Sequence, residues 1–215
     1  MPLRRLVLAS ASSARLRLLR TAGFDPEVVV SRAAEDDVGH LSPHDQALAL
    51  AVRKARAVAD RIADDRTTPP ALVVGCDSVL DVDGTAYGKP ASKAEALQRW
   101  FSLRGREAVL RTGHCVIDLA PSVEPEREGR DLQLVPIAEV AATVVRFGSP
   151  TDEEIARYVG TGEPLGVAGG FTLDGWSAPF IDGVDGDPGN VIGLSLPLLR
   201  VLVERLGLSV TDLWP

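Results

Sequence analysis

Apolar residues change their period along this chain, and the changes mark out alternating strands and helices. Residues 6–9 form a short apolar run of buried-strand type, followed by the turn Ser10-Ala-Ser-Ser13. Leu16, Leu19 and Ala22 then recur at helical spacing until Gly23 supplies a C-terminal stop. Residues 27–30 read as a second strand, and residues 31–41 are polar and acidic. Ser42 and Pro43 open a long helix as N-cap and first helical residue, with Ala47, Ala51, Ala55, Val58 and Ile62 along one stripe. Residues 64–70 read as a loop into the next strand.

That next strand organises the chain. Residues 71–74 are wholly apolar, and Asp77 is expected just past their end. A carboxylate there is costly to desolvate unless a metal, a cation or hydrogen bonds meet it. In open α/β sheets that edge is also where ligands bind. Val79 and Leu80 lead into the hairpin turn Asp81-Val-Asp-Gly84, after which Pro90 holds Lys89 extended. Ser92-Lys-Ala-Glu95 is a capping box for a helix ending near Leu103. Residues 109–119 and 137–147 read as strands, joined by a long, mobile link at 120–136 rich in Pro and Glu. A second capping box, Thr151-Asp-Glu-Glu154, starts a helix that runs to about Val159. Residues 160–193, full of Gly, Asp and Pro, read as short strands and tight turns, and a last helix spans about 197–206 before Gly207. Strands and helices interleave without an internal repeat, which predicts an α/β fold, most simply one domain over 1–215 with two lobes.

Composition narrows the function. The chain has 215 residues, enough for a full core, and its net charge of −7 argues against general nucleic-acid binding through a basic surface. An anionic substrate therefore needs a local cluster of Arg and Lys, or a metal. Cys76 and Cys115 sit in apolar settings and read as buried free thiols, which suits a reducing compartment. The N-terminal apolar stretch is too short for a secretory signal and no run approaches transmembrane length, so no membrane association and a cytoplasmic location are expected.

Several residues carry candidate chemistry. Ser10, Ser12 and Arg15 stand at a strand-to-helix junction, where free amides and the helix dipole favour an anion. Arg15 in the first turn opposes the dipole, a penalty a bound phosphate would remove; a capped helix with an exposed arginine is the plain alternative. Lys54 lies on or beside the apolar stripe of its helix, so it either snorkels or points into a site. Glu35, in an acidic loop, is a candidate ligand for a hard cation or simply solvated. Leu80-Asp-Val-Asp-Gly-Thr85 fits the aspartyl-nucleophile motif of haloacid-dehalogenase-type phosphatases, with Asp81 as nucleophile. In that group, however, the motif ends the first strand, whereas two strands and two helices come first here. Residues 182–190 fail the spacing of an EF-hand loop, and His40, His44 and His114 show no zinc-type spacing with the cysteines.

Together the pieces resemble the Maf family, the septum-formation-type nucleoside triphosphate pyrophosphatases. The likeness rests on Leu8-Ala-Ser-Ala-Ser12 with Arg15, on Ser31 followed by Glu35, on Arg53-Lys54-Ala55, and on Gly75-Cys-Asp77-Ser-Val79. It continues through Gly88-Lys-Pro90, Thr112-Gly113, Thr161-Gly-Glu-Pro164, Ala168-Gly169 and Asn190-Val-Ile-Gly-Leu194. The resemblance implies an α/β fold of inosine-triphosphatase type, a mixed sheet with flanking helices and two lobes around a central cleft. It implies a nucleoside triphosphate substrate, a divalent cation (Mg²⁺ or Mn²⁺), a possible homodimer and a link to cell-division arrest. Asp77 matches the catalytic acidic residue; Ser10, Ser12, Arg15, Lys54, Lys89 and Glu163 match substrate-binding positions; Glu35 with Asp77 would hold the metal.

The chain departs from the family pattern at Ser13-Ala14, Ser78, Ala108, Val167 and Asp174, which bears on nucleotide preference more than on the reaction. The expectation is hydrolysis of non-standard or surplus nucleotides between the α and β phosphates, with Asp77 activating water or holding the metal that does. The rival readings are the Asp81 phosphatase and a nucleotide-binding regulator of cell division without turnover.

Overall fold

The shortness of strand β1 (Arg5–Leu8) shapes the whole sheet. The computed structural model describes residues 4–63, 70–119 and 135–215, and in it seven strands form one mixed sheet. The order is β2 (Glu27–Val28), β1, β3 (Ala71–Val82), β5 (Glu107–Asp118), β6 (Ile137–Phe147) and β7 (Ile181–Asp185), with β4 (Thr85–Tyr87) paired to the far end of β3. β1 runs parallel to β2 and β3; the other pairings are antiparallel. Helices α1 (Ser13–Thr21), α2 (Pro43–Ala63), α3 (Lys93–Leu103), α4 (Asp152–Gly160), α5 (Pro188–Ile192) and α6 (Leu196–Arg205) complete the expected α/β interleaving. Of the two connections read from the sequence, positions 64–69 and 120–134 lie outside the described residues. Among the described residues no helix is long and apolar enough to cross a membrane.

β3 corrects the sequence reading. It does not stop before Asp77 but continues through it to Val82, pairing with β5 from Leu72 to Asp81. On its other edge β1 covers only residues 71–74 and β4 only residues 80–82. Residues 75–79 therefore have no strand beside them on that edge among the described residues. Asp77 sits at the middle of this gap. The β3–β4 hairpin turns at Asp83 and Gly84, both at positive φ, as a type I′ turn requires.

Alternation along β3 divides its side chains between two faces. Leu72, Val74 and Cys76 pack with Leu19 of α1 and with Leu199 and Leu202 of α6. Val73 packs on the other face with Ala51, Ala55 and Val58 of α2. The approach of α2 is close: a Cβ on Gly75 would come within 2.5 Å of the Ala51 carbonyl oxygen, and one on Gly113 of β5 would collide with the Ala47 carbonyl. Glycine on the strands facing alanine on the helix permits this contact and brings Lys54 down onto the sheet. At the far end a separate cluster, including Leu80, Trp100, Leu110, Phe147, Tyr158 and Phe171, joins α3 and α4 to the sheet. Residues 160–193, expected as short strands and turns, contain only one strand, β7. The remainder includes α5 and 3-10 turns at Glu163–Gly166, Ala168–Gly170 and Ala178–Phe180.

Candidate functional site

The gap along β3 opens onto a cleft of about 720 Å³, walled by residues 9–15, 30–33, Glu35, α2, β3, Gly88, Lys89, residues 166–168 and 171–174, and residues 191–193. Asp77 and Ser78 are neighbours and so point to opposite faces of the sheet. Both nonetheless line the cleft, because the edge between the faces is open there.

On the α2 face, the Lys54 ammonium contacts the Asp77 carboxylate and lies 2.7 Å from the Glu35 carboxylate. Lys54 thus points into the site instead of snorkelling. Asp77 is only 9% exposed. Burial raises its carboxyl above the usual carboxylate range; Lys54 and then Arg15 oppose that rise, and the nearby Glu35 charge adds to it. On the α1 face, Arg15 donates from Nε to the Gly193 carbonyl (2.7 Å), from Nη1 to Ser10 Oγ (3.2 Å) and from Nη2 to Ser78 Oγ (3.0 Å). Ser10 Oγ also accepts from the Ser12 amide (3.2 Å), and Ser12, the N-cap of α1, accepts from the Arg15 amide (3.3 Å).

Arg15 is 9% exposed and, among the described residues, has no carboxylate within ion-pair distance. A buried guanidinium bonded to hydroxyls and a carbonyl keeps an uncompensated charge. With the unpaired amides in the first turn of α1, it makes this end of the cleft attractive to an anion. Lys89, exposed on the opposite lip, makes no hydrogen bond or ion pair among the described residues.

Glu163 is placed differently from the other expected site residues. Its carboxylate is not part of the cleft lining and accepts from the Thr172 hydroxyl (2.7 Å) and the Trp176 amide (3.0 and 3.2 Å). Asp81, expected in the hairpin turn, is a strand residue paired with Arg111 Nε at 2.7 Å and accepting from the Gly84 amide at 2.9 Å. It too lies outside the cleft lining, so the phosphatase-like motif is spent on a hairpin.

Sequence reasoning missed two features of the site. A buried polar chain runs from Ser78 Oγ to Thr112 Oγ1 (2.9 Å) and on to the Asn190 carbonyl (3.0 Å), so Ser78 is held on both sides of its hydroxyl. Only the cross-strand register of Ser78 with Thr112 would have revealed it. Across the cleft mouth, Arg17 of α1 pairs with Asp174. The remaining candidates are structural. His114 is fully buried, with Nδ1 donating to the Thr112 carbonyl (2.9 Å) and Nε2 accepting from the Ser195 amide (2.7 Å); burial lowers its pKa to about 4. Cys76 and Cys115 are free and buried, and burial pushes their thiols up to about 11 and about 12.

Two carboxylates gathered on one ammonium form a donor pair that suits a hard divalent cation. No group of three or more His, Cys, Asp or Glu side chains is assembled among the described residues. Substrate oxygens and water would have to complete the coordination, as Mg²⁺ commonly requires.

A family model described as Maf-like protein matches residues 5–206. The nucleoside triphosphate pyrophosphatase of Streptomyces coelicolor is 58% identical over 213 residues, covering 99% of this chain and 96% of that protein. The protein of the same name from Streptomyces avermitilis is 55% identical over the same shares. That from Mycobacterium sp. (strain JLS) is 49% identical over 98% of each chain. Among solved structures, the Staphylococcus aureus Ham1 protein aligns at 15% identity with a TM-score of 0.38, covering 67% of this chain and 72% of that one, a likeness too slight to define the fold.

Proposed function

The chain belongs to the Maf-like family, and from that premise we propose that it is a nucleoside triphosphate pyrophosphatase, cleaving between the α and β phosphates to release a nucleoside monophosphate and pyrophosphate. The observation that carries the reading is the juxtaposition at the β3 gap: buried Asp77 on one face and, on the other, buried Arg15 with no carboxylate partner among the described residues, both lining one cleft. The naming of the relatives as nucleoside triphosphate pyrophosphatases agrees with it.

In this mechanism the triphosphate lies with its anionic oxygens toward Arg15, the Ser10 and Ser12 turn and Lys89. Asp77, whose carboxyl burial raises above the usual carboxylate range, takes the proton of the attacking water. Lys54 holds Asp77 in place and, with Arg15, offsets charge that builds up on the phosphates. Glu35 and Asp77 are the residues that would hold a divalent cation. When bound, such an ion supplies further neutralisation of the triphosphate. The two free, buried thiols favour a reducing, cytoplasmic setting.

The test compares Asp77→Asn with Asp81→Asn in an assay of pyrophosphate release, with thermal melts of both. Asp77→Asn keeps the side-chain shape but loses the charge, and activity should fall by about a hundredfold or more. Asp81→Asn should keep its activity and lose about 1–3 kcal/mol of stability, because Arg111 is left with a weakened, partly buried partner. The reverse pattern would overturn the assignment.

A further inference from the structure

Glu163 puts a full carboxylate behind the cleft wall, where no cation pairs with it among the described residues. Thr172, Leu173 and Asp174 form part of that wall; Thr172 is bonded to Glu163 and Ser177, neither of which lines the cleft, while Asp174 reaches Arg17. Oε1 of Glu163 accepts from Thr172 Oγ1 at 2.7 Å and from the Trp176 amide at 3.0 Å, and Oε2 accepts from the same amide at 3.2 Å. The segment is wrapped around the carboxylate so closely that a Cβ on Gly175 would lie 2.5 Å from Glu163 Oε2 and 2.5 Å from Thr172 Oγ1. Buried Ser177 ties the loop shut, its Oγ accepting from the Thr172 amide (2.7 Å) and donating to the Thr172 carbonyl (3.0 Å). The anchor itself is fixed: Glu163 begins the Glu163–Gly166 turn, and its amide donates to Thr161 Oγ1 at 3.1 Å.

We propose that Glu163 is a positioning residue for the nucleotide, acting through residues 172–176, whose cleft-facing side it sets from behind. The proposal rests on the pyrophosphatase reading of the cleft. Residues 166–174 bring no cation to it, so this wall touches the substrate without itself holding the phosphate charge. Such a wall contacts ground state and transition state alike, and its loss raises KM while leaving kcat. The charge of Glu163 is not what the substrate meets; its two oxygens matter as acceptors. The Asp174 that this loop presents reaches Arg17 of α1, so the anchor also sets how that wall meets the opposite side of the mouth.

Steady-state pyrophosphate release by the wild type, Glu163→Ala, Glu163→Gln and Gly175→Ala tests this, together with hydrogen–deuterium exchange of the peptide spanning 171–177 and thermal melts. In Glu163→Ala, KM should rise about tenfold while kcat stays within about threefold. Glu163→Gln keeps one oxygen able to accept from both Thr172 and Trp176, and should recover KM to within about threefold of the wild type. Gly175→Ala leaves the carboxylate in place but crowds the loop off it, and should raise KM in the same direction. Exchange over 171–177 should quicken in Glu163→Ala and Gly175→Ala but not in Glu163→Gln. Equal losses in the Gln and Ala variants would show that the charge itself meets the substrate and overturn the proposal. A fall in kcat with KM unchanged, or wild-type exchange in Glu163→Ala, would overturn it as well. If Glu163→Ala does not fold, the other two variants carry the test. Wild-type turnover reads the pyrophosphatase assignment and exchange needs no turnover, so each can fail alone.

Discussion

Arg15 and Lys54 bear the same charge but stand in opposite electrostatic positions. Lys54 is matched by two carboxylates, whereas among the described residues Arg15 is held only by hydroxyls and a carbonyl. Replacing either with Ala should lower kcat/KM for a triphosphate by at least about tenfold, or about 1.4 kcal/mol of transition-state stabilisation. Lys54→Ala should have a second signature. Lys54 is the largest influence pulling the Asp77 carboxyl down, so without it that pKa rises further and the acid limb of the pH–rate profile moves to higher pH. Normal kinetics in both variants would contradict the phosphate-binding role. His114 makes a separate prediction about stability. Its folded pKa, lowered from 6.5 to about 4 by burial, means that the unfolded chain binds the extra proton first. The contribution is fully present above pH 6.5 and is lost as pH falls through about 4. Melting temperature should drop over that window, and His114→Gln should flatten the slope; an unchanged slope would show that other groups dominate.

At the scale of elements, the contact of α2 with the sheet is what delivers Lys54 to Asp77. The stripe Ala47, Ala51 and Ala55 was legible as a helix face, but its purpose was not. Only the register that sets Gly75 opposite Cys115 and Asp77 opposite Gly113 shows two glycines beneath the alanines. Gly113→Ala should therefore force α2 away, cost roughly 1–3 kcal/mol of stability by overpacking, and weaken turnover by separating Lys54 from Asp77. Equilibrium unfolding and pyrophosphate release, measured side by side, check both halves. The caps at Ser92 and Thr151 were readable because each is a local bond between a side chain and an amide three residues on. At Ser92 the match is partial, since Glu95 reaches the Ala91 amide instead of the cap's own. The length of β3 was not readable. Gly75, Asp77 and Ser78 break the apolar run, and what keeps them in a strand is pairing with β5, a partner more than thirty residues away in sequence. Asp81 was misread for the same reason, its partner Arg111 lying on that distant strand.

Across the whole molecule, one topological fact turns these pieces into a site. β1 ends early and β4 begins late, so one edge of the central strand has no strand beside it over 75–79 among the described residues, and the two faces of the sheet meet in one cleft there. A chain of net charge −7 can hold a polyanion there because Arg15, Lys54 and Lys89 are concentrated on its walls. If this cleft breaks the α–β bond of a triphosphate, as proposed above, the products report on it directly. The measurement is a panel of standard and modified nucleoside triphosphates incubated with Mg²⁺ or Mn²⁺, reading pyrophosphate and orthophosphate separately for the wild type and for Asp77→Asn. Pyrophosphate and nucleoside monophosphate should appear in equal amounts from at least one substrate, and fall by about a hundredfold or more in the variant. Orthophosphate as the only product, or pyrophosphate release undiminished in Asp77→Asn, would contradict that reading.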